Sequence, residues 1–293
     1  VLSNQDLQKI KELNQGALRA ITLSSLYELD AGEQGLRDAL DKLCQEALRA
    51  TEDGYSILIL SDRGHTRQMA AIPALLSAAA VHHFLIREKK RTKCGLVVES
   101  AEVREIQHFA LLCGYGVGAV NSYLAFETLA QMHRDGDIAG DLTLEQVEKH
   151  YIKAVNKGVT KVMSKMGIST LHSYRGAQIY EAVGLNQDVI DRYFSWTPSR
   201  IGGVGLDVLA EETKRRYLQG YPDRDVADTL DLEVGGEHQW RRRGERHLKS
   251  PLVVAKLQQA AQTNSAKTFE EFSQLVDEQS KNLCTLRGLL SFK

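Results

Sequence analysis

Long apolar runs are the first thing missing from this chain. Nowhere in its 293 residues does one approach the ~20 consecutive apolar positions that a membrane-spanning helix needs, so no membrane partner is expected. An excess of charge of one sign is missing too. Lys plus Arg number 37 against 38 Asp plus Glu, a formal net charge of −1, which supplies no general attraction for nucleic acid or an acidic surface. The four cysteines, Cys44, Cys94, Cys113 and Cys284, lack the CxxC spacing of zinc or iron–sulfur sites, so no metal is expected. Cys94, Cys113 and Cys44 sit in apolar contexts and read as reduced, buried thiols, which suits a reducing compartment. No secretory signal opens the sequence, and its first residue is Val rather than Met. That reads as a processed chain or a piece of something longer.

Only four prolines interrupt a chain rich in alanine and leucine. The length permits one large domain or two ordinary ones. Ser3–Asn14 reads as a capped helix with Leu7, Ile10 and Leu13 on one face. Ala20–Leu29 suggests a strand, Leu36–Ala50 has helical spacing, and Tyr55–Leu60 (YSILIL) is a continuous apolar strand of the kind covered on both faces. Pro73–Ile86, Glu102–Cys113 and Ser122–Arg134 read as helices, alternating with strands at Gly95–Glu99 and within Tyr115–Asn121. Such alternation needs crossover connections. The fold class expected is therefore α/β, a mostly parallel sheet with crossover helices, open or partly curled like a barrel, with a helical C-terminal extension.

Thr143–Lys165 is a long helix with Thr143 and Gln146 in capping-box positions. Gly184 reads as the glycine that ends a following helix, and Asn186–Phe194 and Leu206–Leu218 as further helices. Thr197–Gly203 reads as a turn-rich connection. From Gly220 to Ser250 the composition shifts to Gly, Asp, Arg and His, and helices return at Pro251 and Phe269–Val276, ahead of an apolar Leu283–Phe292. The expected division is a core over 1–219 and a loop-rich, then helical, segment over 220–293. The cluster Trp240, Arg241, Arg242 and Arg243 could contact nucleic acid by charge and stacking, but it is short and the chain is not basic, so it reads as an inter-domain contact or a surface loop.

Candidate site residues follow from placement. Ser61, Asp62 and Arg63 leave a buried strand at its carboxyl end, where parallel sheets present ligand groups; a salt-bridged loop with Asp62 as a cap is the structural alternative. Glu99 and Asn121 end two more strands. Asp62 and Glu99 could serve as acid and base in a self-sufficient barrel-like enzyme, and a self-associating scaffold is a further alternative. His82 and His83, adjacent on a helix, point ~100° apart and cannot readily chelate one metal; one reads as core and one as surface. The glycines of Gly114–Gly118 precede a strand, so the dinucleotide fingerprint is not met. The densest run of short polar groups is Val162–Glu181, with Ser169, Thr170, Ser173, Tyr174, Arg175 and Gln178. It reads as a strand end, turn and helix start, either a ligand-facing turn or a plain polar cap.

Several stretches together resemble the large chain of glutamate synthase. They are VLSNQDL at the start, GYSILILSDRG, AVHHFLIREKKRTKCGLVVESAEVREIQHFALLCGYG, AVNSYLAFETL, YIKAVNKGVTKVMSKMGISTLHSYRGAQIYEAVGL and TPSRIGGVGLDVLAEE. The likeness covers essentially the whole chain. Ser122 stands where the family more often has proline, which bears only on the start of one helix. The family's N-terminal catalytic cysteine, its FMN barrel with a cysteine-rich iron–sulfur loop and its glycine-rich β-helix have no counterpart here. The resemblance therefore implies the central domain, between a glutaminase domain and an FMN domain of one parent polypeptide. It implies no catalytic residue and no cofactor in this chain, with FMN and an iron–sulfur cluster in the parent, and ferredoxin or a reductase subunit as the parent's electron donor. The compartment implied is the cytoplasm, or the plastid stroma for a plant or algal source. On the same resemblance, Ser61, Asp62, Arg63, Asn121, Ser169, Thr170, Ser173, Tyr174 and Arg175 are candidates for an ammonia path or a domain interface.

Overall fold

The computed structural model of the protein describes residues 1–222, 234–283 and 285–291. Two compact units hold them, Val1–Asp223 and Arg224–Lys293. The first is an α/β unit around a five-stranded sheet in the order β1-β2-β4-β6-β7. Strands β2 (Leu18–Ser24), β4 (Ile57–Ser61), β6 (Gly95–Glu99) and β7 (Ala119–Asn121) run parallel, and β1 (Asn14–Gln15) pairs antiparallel at one edge. Parallel neighbours need crossovers, which helices α2 (Gly32–Glu52), α3 (Ala74–Arg87) and α4 (Ile106–Gly114) supply. Because the strand order advances in one direction, crossovers of one hand stack these helices on one face. This is the winding of a barrel segment, left open.

The pleat sorts the strand residues accordingly. Leu58, Leu60, Leu96, Val98 and Val120 face the large core, with Leu36, Leu40 and Leu43 of α2, Ala78 and Val81 of α3, and Phe109 and Leu112 of α4. Ile59 and Val97 face the other way and meet only a small cluster around Leu7, on helix α1 (Asn4–Lys11). Ser3 caps α1 in a capping box with Asp6, as its sequence signature predicts. Leu2 continues the cover, its N–H donating to the Val120 carbonyl at 2.8 Å.

A short antiparallel pair, β3 (Leu26–Glu28) with β5 (Met69–Ala71), splits the expected Ala20–Leu29 strand at Ser25. Helix α5 (Tyr123–Asp135) begins directly after Ser122, and α6 (Leu144–Lys165) carries the predicted Thr143–Gln146 capping box. The third crossover helix, α4, starts later than expected, at Ile106 rather than Glu102, with Glu105 as its extended N-cap residue.

Beyond α6 three expectations fail. No strand end precedes the 169–175 turn; α6 runs into it, and a single helical turn, α7 (Leu171–Tyr174), follows. Gly184 ends no helix but lies within β8 (Ala182–Leu185), and the supposed connection at Thr197–Gly203 is largely β9 (Ser199–Val204). These two pair in parallel with register shifts, joined through α8 (Gln187–Tyr193). Gly184 takes φ of 82°, and a Cβ on Gly203 would collide with the Gly184 backbone. Here the glycines allow two strands to approach, where sequence alone suggests breakers. Helix α9 (Leu206–Gly220) closes the unit.

The second unit holds α10 (Pro251–Thr263), with Ser250 as N-cap and proline in its first turn, α11 (Ala266–Asn282) and the short α12 (Leu286–Leu289). Residues 223–233 of the Gly220–Ser250 segment, together with Cys284 and Phe292, lie outside the described residues. No helix among the described residues is long and apolar enough to cross a membrane.

Candidate functional site

In-register pairing places Ser24, Ser61, Glu99 and Asn121 in one row at the carboxyl edge of the sheet. Glu99 is 2% exposed, and burying a carboxylate there requires partners. Three donors supply them: Lys11 Nζ at 2.8 Å and Ser61 Oγ at 2.6 Å on Oε2, and Arg63 Nε at 2.8 Å on Oε1. Burial pushes the Glu99 carboxyl up, but the hydrogen bonds from Lys11, Ser61 and Arg63 outweigh it and hold the group below its ordinary value. Arg63 also lies over the Tyr123 ring at 3.9 Å and reaches Glu127 at 3.4 Å. Asn121, fully buried, donates to Leu2 O at 3.2 Å and Asn4 Oδ1 at 2.9 Å. The row thus ties the sheet to α1.

Asp62 is as buried as Glu99 but is held differently. Its carboxylate accepts from Ser100 Oγ at 2.7 Å and from the Ala101 N–H at 3.0 Å. Burial pushes its carboxyl up, and these bonds only partly pull it back. It caps no helix of its own, and Arg63 pairs across strands instead of locally, so the local salt-bridged loop is not what forms. Asp62 borders a recess of about 440 Å³ with His65, Glu102, Arg104, Arg216 and Tyr217. Glu99 is not part of that lining, and both its oxygens are occupied. The two carboxylates therefore do not face one cavity as an acid–base pair working on a shared substrate would.

The remaining candidates lie elsewhere. Ser169, Thr170 and Ser173 are exposed. Thr170 caps α7, accepting from Ser173 N at 3.3 Å and donating to Ser173 Oγ at 2.9 Å, which is the plain polar cap. Tyr174 is fully buried and donates to Ala110 O at 3.1 Å. Arg175 sits by the loop that enters β7: a Cβ on Gly118 would meet its guanidinium and the Leu96 carbonyl, each at 3.4 Å. That places Arg175 near the amino end of the sheet, roughly 10 Å from the Glu99 level at a normal strand rise. Ser61, Asp62, Arg63 and Asn121 therefore gather at the carboxyl edge, and Arg175 lies toward the opposite end of the sheet.

Sequence reasoning missed Lys11, Ser100 and Tyr123, whose roles depend on register and on where α1 docks. It also misjudged the histidines. Both His82 and His83 are half-buried and lie edge to face at 5.0 Å; burial, then neighbouring arginines, pushes them down to about 3 and about 4. No cluster of three or more possible metal ligands exists among the described residues. Cys44 and Cys94 are buried free thiols.

Comparison with known proteins gives this geometry a context. Residues 1–186 match the model of the glutamate synthase central domain. The chain is 42% identical over 292 residues to the glutamate synthase [NADPH] large chain of Bacillus subtilis, covering 100% of this chain and 18% of that one. It is 39% identical over 261 residues to glutamate synthase [NADH] of Schizosaccharomyces pombe, covering 89% and 12%. With the ferredoxin-dependent glutamate synthase 1, chloroplastic/mitochondrial, of Arabidopsis thaliana it shares 37% over 302 residues, covering 96% and 18%. The chain thus spans less than a fifth of the length of each of these relatives. An open parallel sheet, a family match over most of the chain and likeness to glutamate synthases along nearly all of it lead to one conclusion: the chain belongs to the glutamate synthase central domain family.

Proposed function

We propose that the chain serves as the non-catalytic centre of a glutamate synthase large chain, which makes L-glutamate from L-glutamine and 2-oxoglutarate. In this reading it joins a glutaminase domain to an FMN domain, holds their sites in register and helps wall the path of ammonia between them. FMN, the iron–sulfur cluster and the contact with ferredoxin or a reductase subunit belong to other parts of the parent. The carrying observation is the carboxyl edge: Glu99 is taken up by Lys11, Ser61 and Arg63, so the usual place for chemistry in a parallel sheet serves as a brace. The strands of this sheet also follow one another in order, with no switch point among the described residues to open a cofactor crevice.

Ammonia must travel without bulk water, where it takes up a proton and is lost, so its path needs small hydroxyls and carbonyls amid apolar groups. Ser61 and Asn121 offer such groups at the carboxyl edge. Ser169, Thr170 and Ser173 face outward and are assigned to a domain interface, with Asp62, Arg63, Tyr174 and Arg175 as supports. The test is to purify the chain, incubate it with FMN and with glutamine, and measure retained flavin absorbance and released ammonia. Neither signal is expected; a stoichiometric yellow complex or turnover of glutamine would refute the reading. The rival acid–base reading predicts activity abolished by Asp62→Asn and Glu99→Gln, so the same assay separates the two.

A further inference from the structure

A second cavity, of about 270 Å³, lies away from the carboxyl edge, between α3, the loop after α4 and residues 176–180 and 195–197. Its volume is near the small end of ligand clefts, about 300–1,000 Å³, and suits one or two fused rings. Aromatic groups dominate the lining. Tyr115 stacks on Tyr180 with centroids 6.3 Å apart, and His83 meets Tyr115 edge-on at 6.1 Å. Trp196 lines the cleft while remaining 79% exposed. Its backbone is left-handed, with φ of 66°, and so is that of Gln178 across the cleft, at 54°. A bulky residue in that region is strained, and such strain concentrates at ligand clamps. Packing within this chain does not repay it, because the indole is mostly in water.

The electrostatics are one-sided. No Asp or Glu among the described residues lines the cleft. Arg87 on its wall donates to Ser195 Oγ at 3.2 Å and Arg192 O at 3.3 Å, and no carboxylate among the described residues pairs with its charge. Behind the cleft Arg91 donates to His82 Nδ1 at 2.9 Å, Cys94 O at 2.7 Å and Gly116 O at 2.6 Å. On the lining itself, His83 has a buried Nε2 with no partner among the described residues, and Arg175, outside the lining, has such an Nε. None of these three arginines has an ion pair among the described residues. Buried polar atoms are normally satisfied, so the aromatic walls, the Arg87 cation and the orphan His83 nitrogen together describe the complement of a missing group.

We propose that this cleft binds a planar aromatic anion, a one- or two-ring acid whose ring lies against Trp196 and Tyr115 and whose carboxylate or other oxyanion turns toward Arg87. Ring contact and cation complementarity supply the recognition. This reading is independent of the linker role. The test is calorimetric titration of the 293-residue chain with 1-naphthoate and, as the uncharged match, 1-naphthalenemethanol. One-to-one saturable binding of the acid is expected, at least about tenfold tighter than the alcohol. Trp196→Gly removes the ring and suits the left-handed backbone, so the variant should keep the parent circular dichroism spectrum while binding at least about tenfold more weakly. Arg87→Gln should erase the preference for the acid, and Trp240→Phe should change nothing. Absence of saturation, equal binding of acid and alcohol, or binding indifferent to either Trp196→Gly or Arg87→Gln overturns the proposal. Should Trp196→Gly lose the fold, the acid-to-alcohol ratio in Arg87→Gln decides alone.

Discussion

Two buried carboxyl groups at neighbouring strand ends have opposite titration behaviour, and the opposition has consequences for stability. Glu99 is held below its ordinary value of 4.5. Its charged form therefore stabilises the fold above that pH, and the contribution is lost as acid protonates it. Asp62 is held above its ordinary value of 3.8. Its neutral form suits the fold, so its contribution is present in acid and fades as pH rises through the folded value. Denaturant melts from about pH 3 to about pH 7 should then show Glu99→Gln losing less stability on acidification than the parent, and Asp62→Asn losing more. At neutral pH, Glu99→Gln leaves Lys11 and Arg63 without their carboxylate. Breaking a fully buried pair costs about 3–5 kcal/mol; since the Arg63 side chain is 43% exposed, a loss of about 2–3 kcal/mol is expected. Strand ends at Ser61, Glu99 and Asn121 were legible from apolar runs stopping at polar residues. Their union into one row was not, because register belongs to pairings dozens of positions apart, and Lys11 belongs to a helix whose docking site its own sequence does not name.

Among the elements, legibility followed the strength of the local signal. Capping boxes at Ser3 and Thr143 and the apolar run before Ser61 are decided within a few residues, and they formed where the pattern placed them. Strands β8 and β9 are decided by a close approach of two backbones, which needs the glycines that ordinarily weaken strands, so they read as breaks. A similar approach joins α6 to α4. Gly158 is buried in α6, and a Cβ there would overlap three side-chain carbons of Ile106. Alanine would gain about 1 kcal/mol of helix propensity, while overpacking costs about 1–3 kcal/mol. Since several carbons of one β-branched residue collide at once, rotation cannot clear them all, and the cost should win. Gly158→Ala should destabilise by roughly 1 kcal/mol in urea. In the Ile106→Ala background the same change should become neutral or stabilising, and additive effects in that cycle would sink the account.

Over the whole molecule, the two units differ in what they bury. The first carries nearly the entire core, whereas the described part of the second buries only Val253, Ala260 and Ser280, with Leu252, Leu257, Phe269, Leu286, Leu289 and Leu290 exposed. A segment of this size without a core seldom supplies more than a few kcal/mol by itself. Residues 224–293 expressed alone should therefore show helical circular dichroism that melts gradually; a sharp, cooperative transition would contradict this. The sheet of the first unit is equally uneven. Three crossover helices bank up on one side, and two turns of α1 lie on the other, hooked at one end by Leu2 and Asn4 and at the other by Lys11. Tension on the first dozen residues would thus be felt at Glu99 and Asn121, at the ends of two sheet strands. Lifting that one small flap would uncover the flank which, in a closed barrel, would be the lumen.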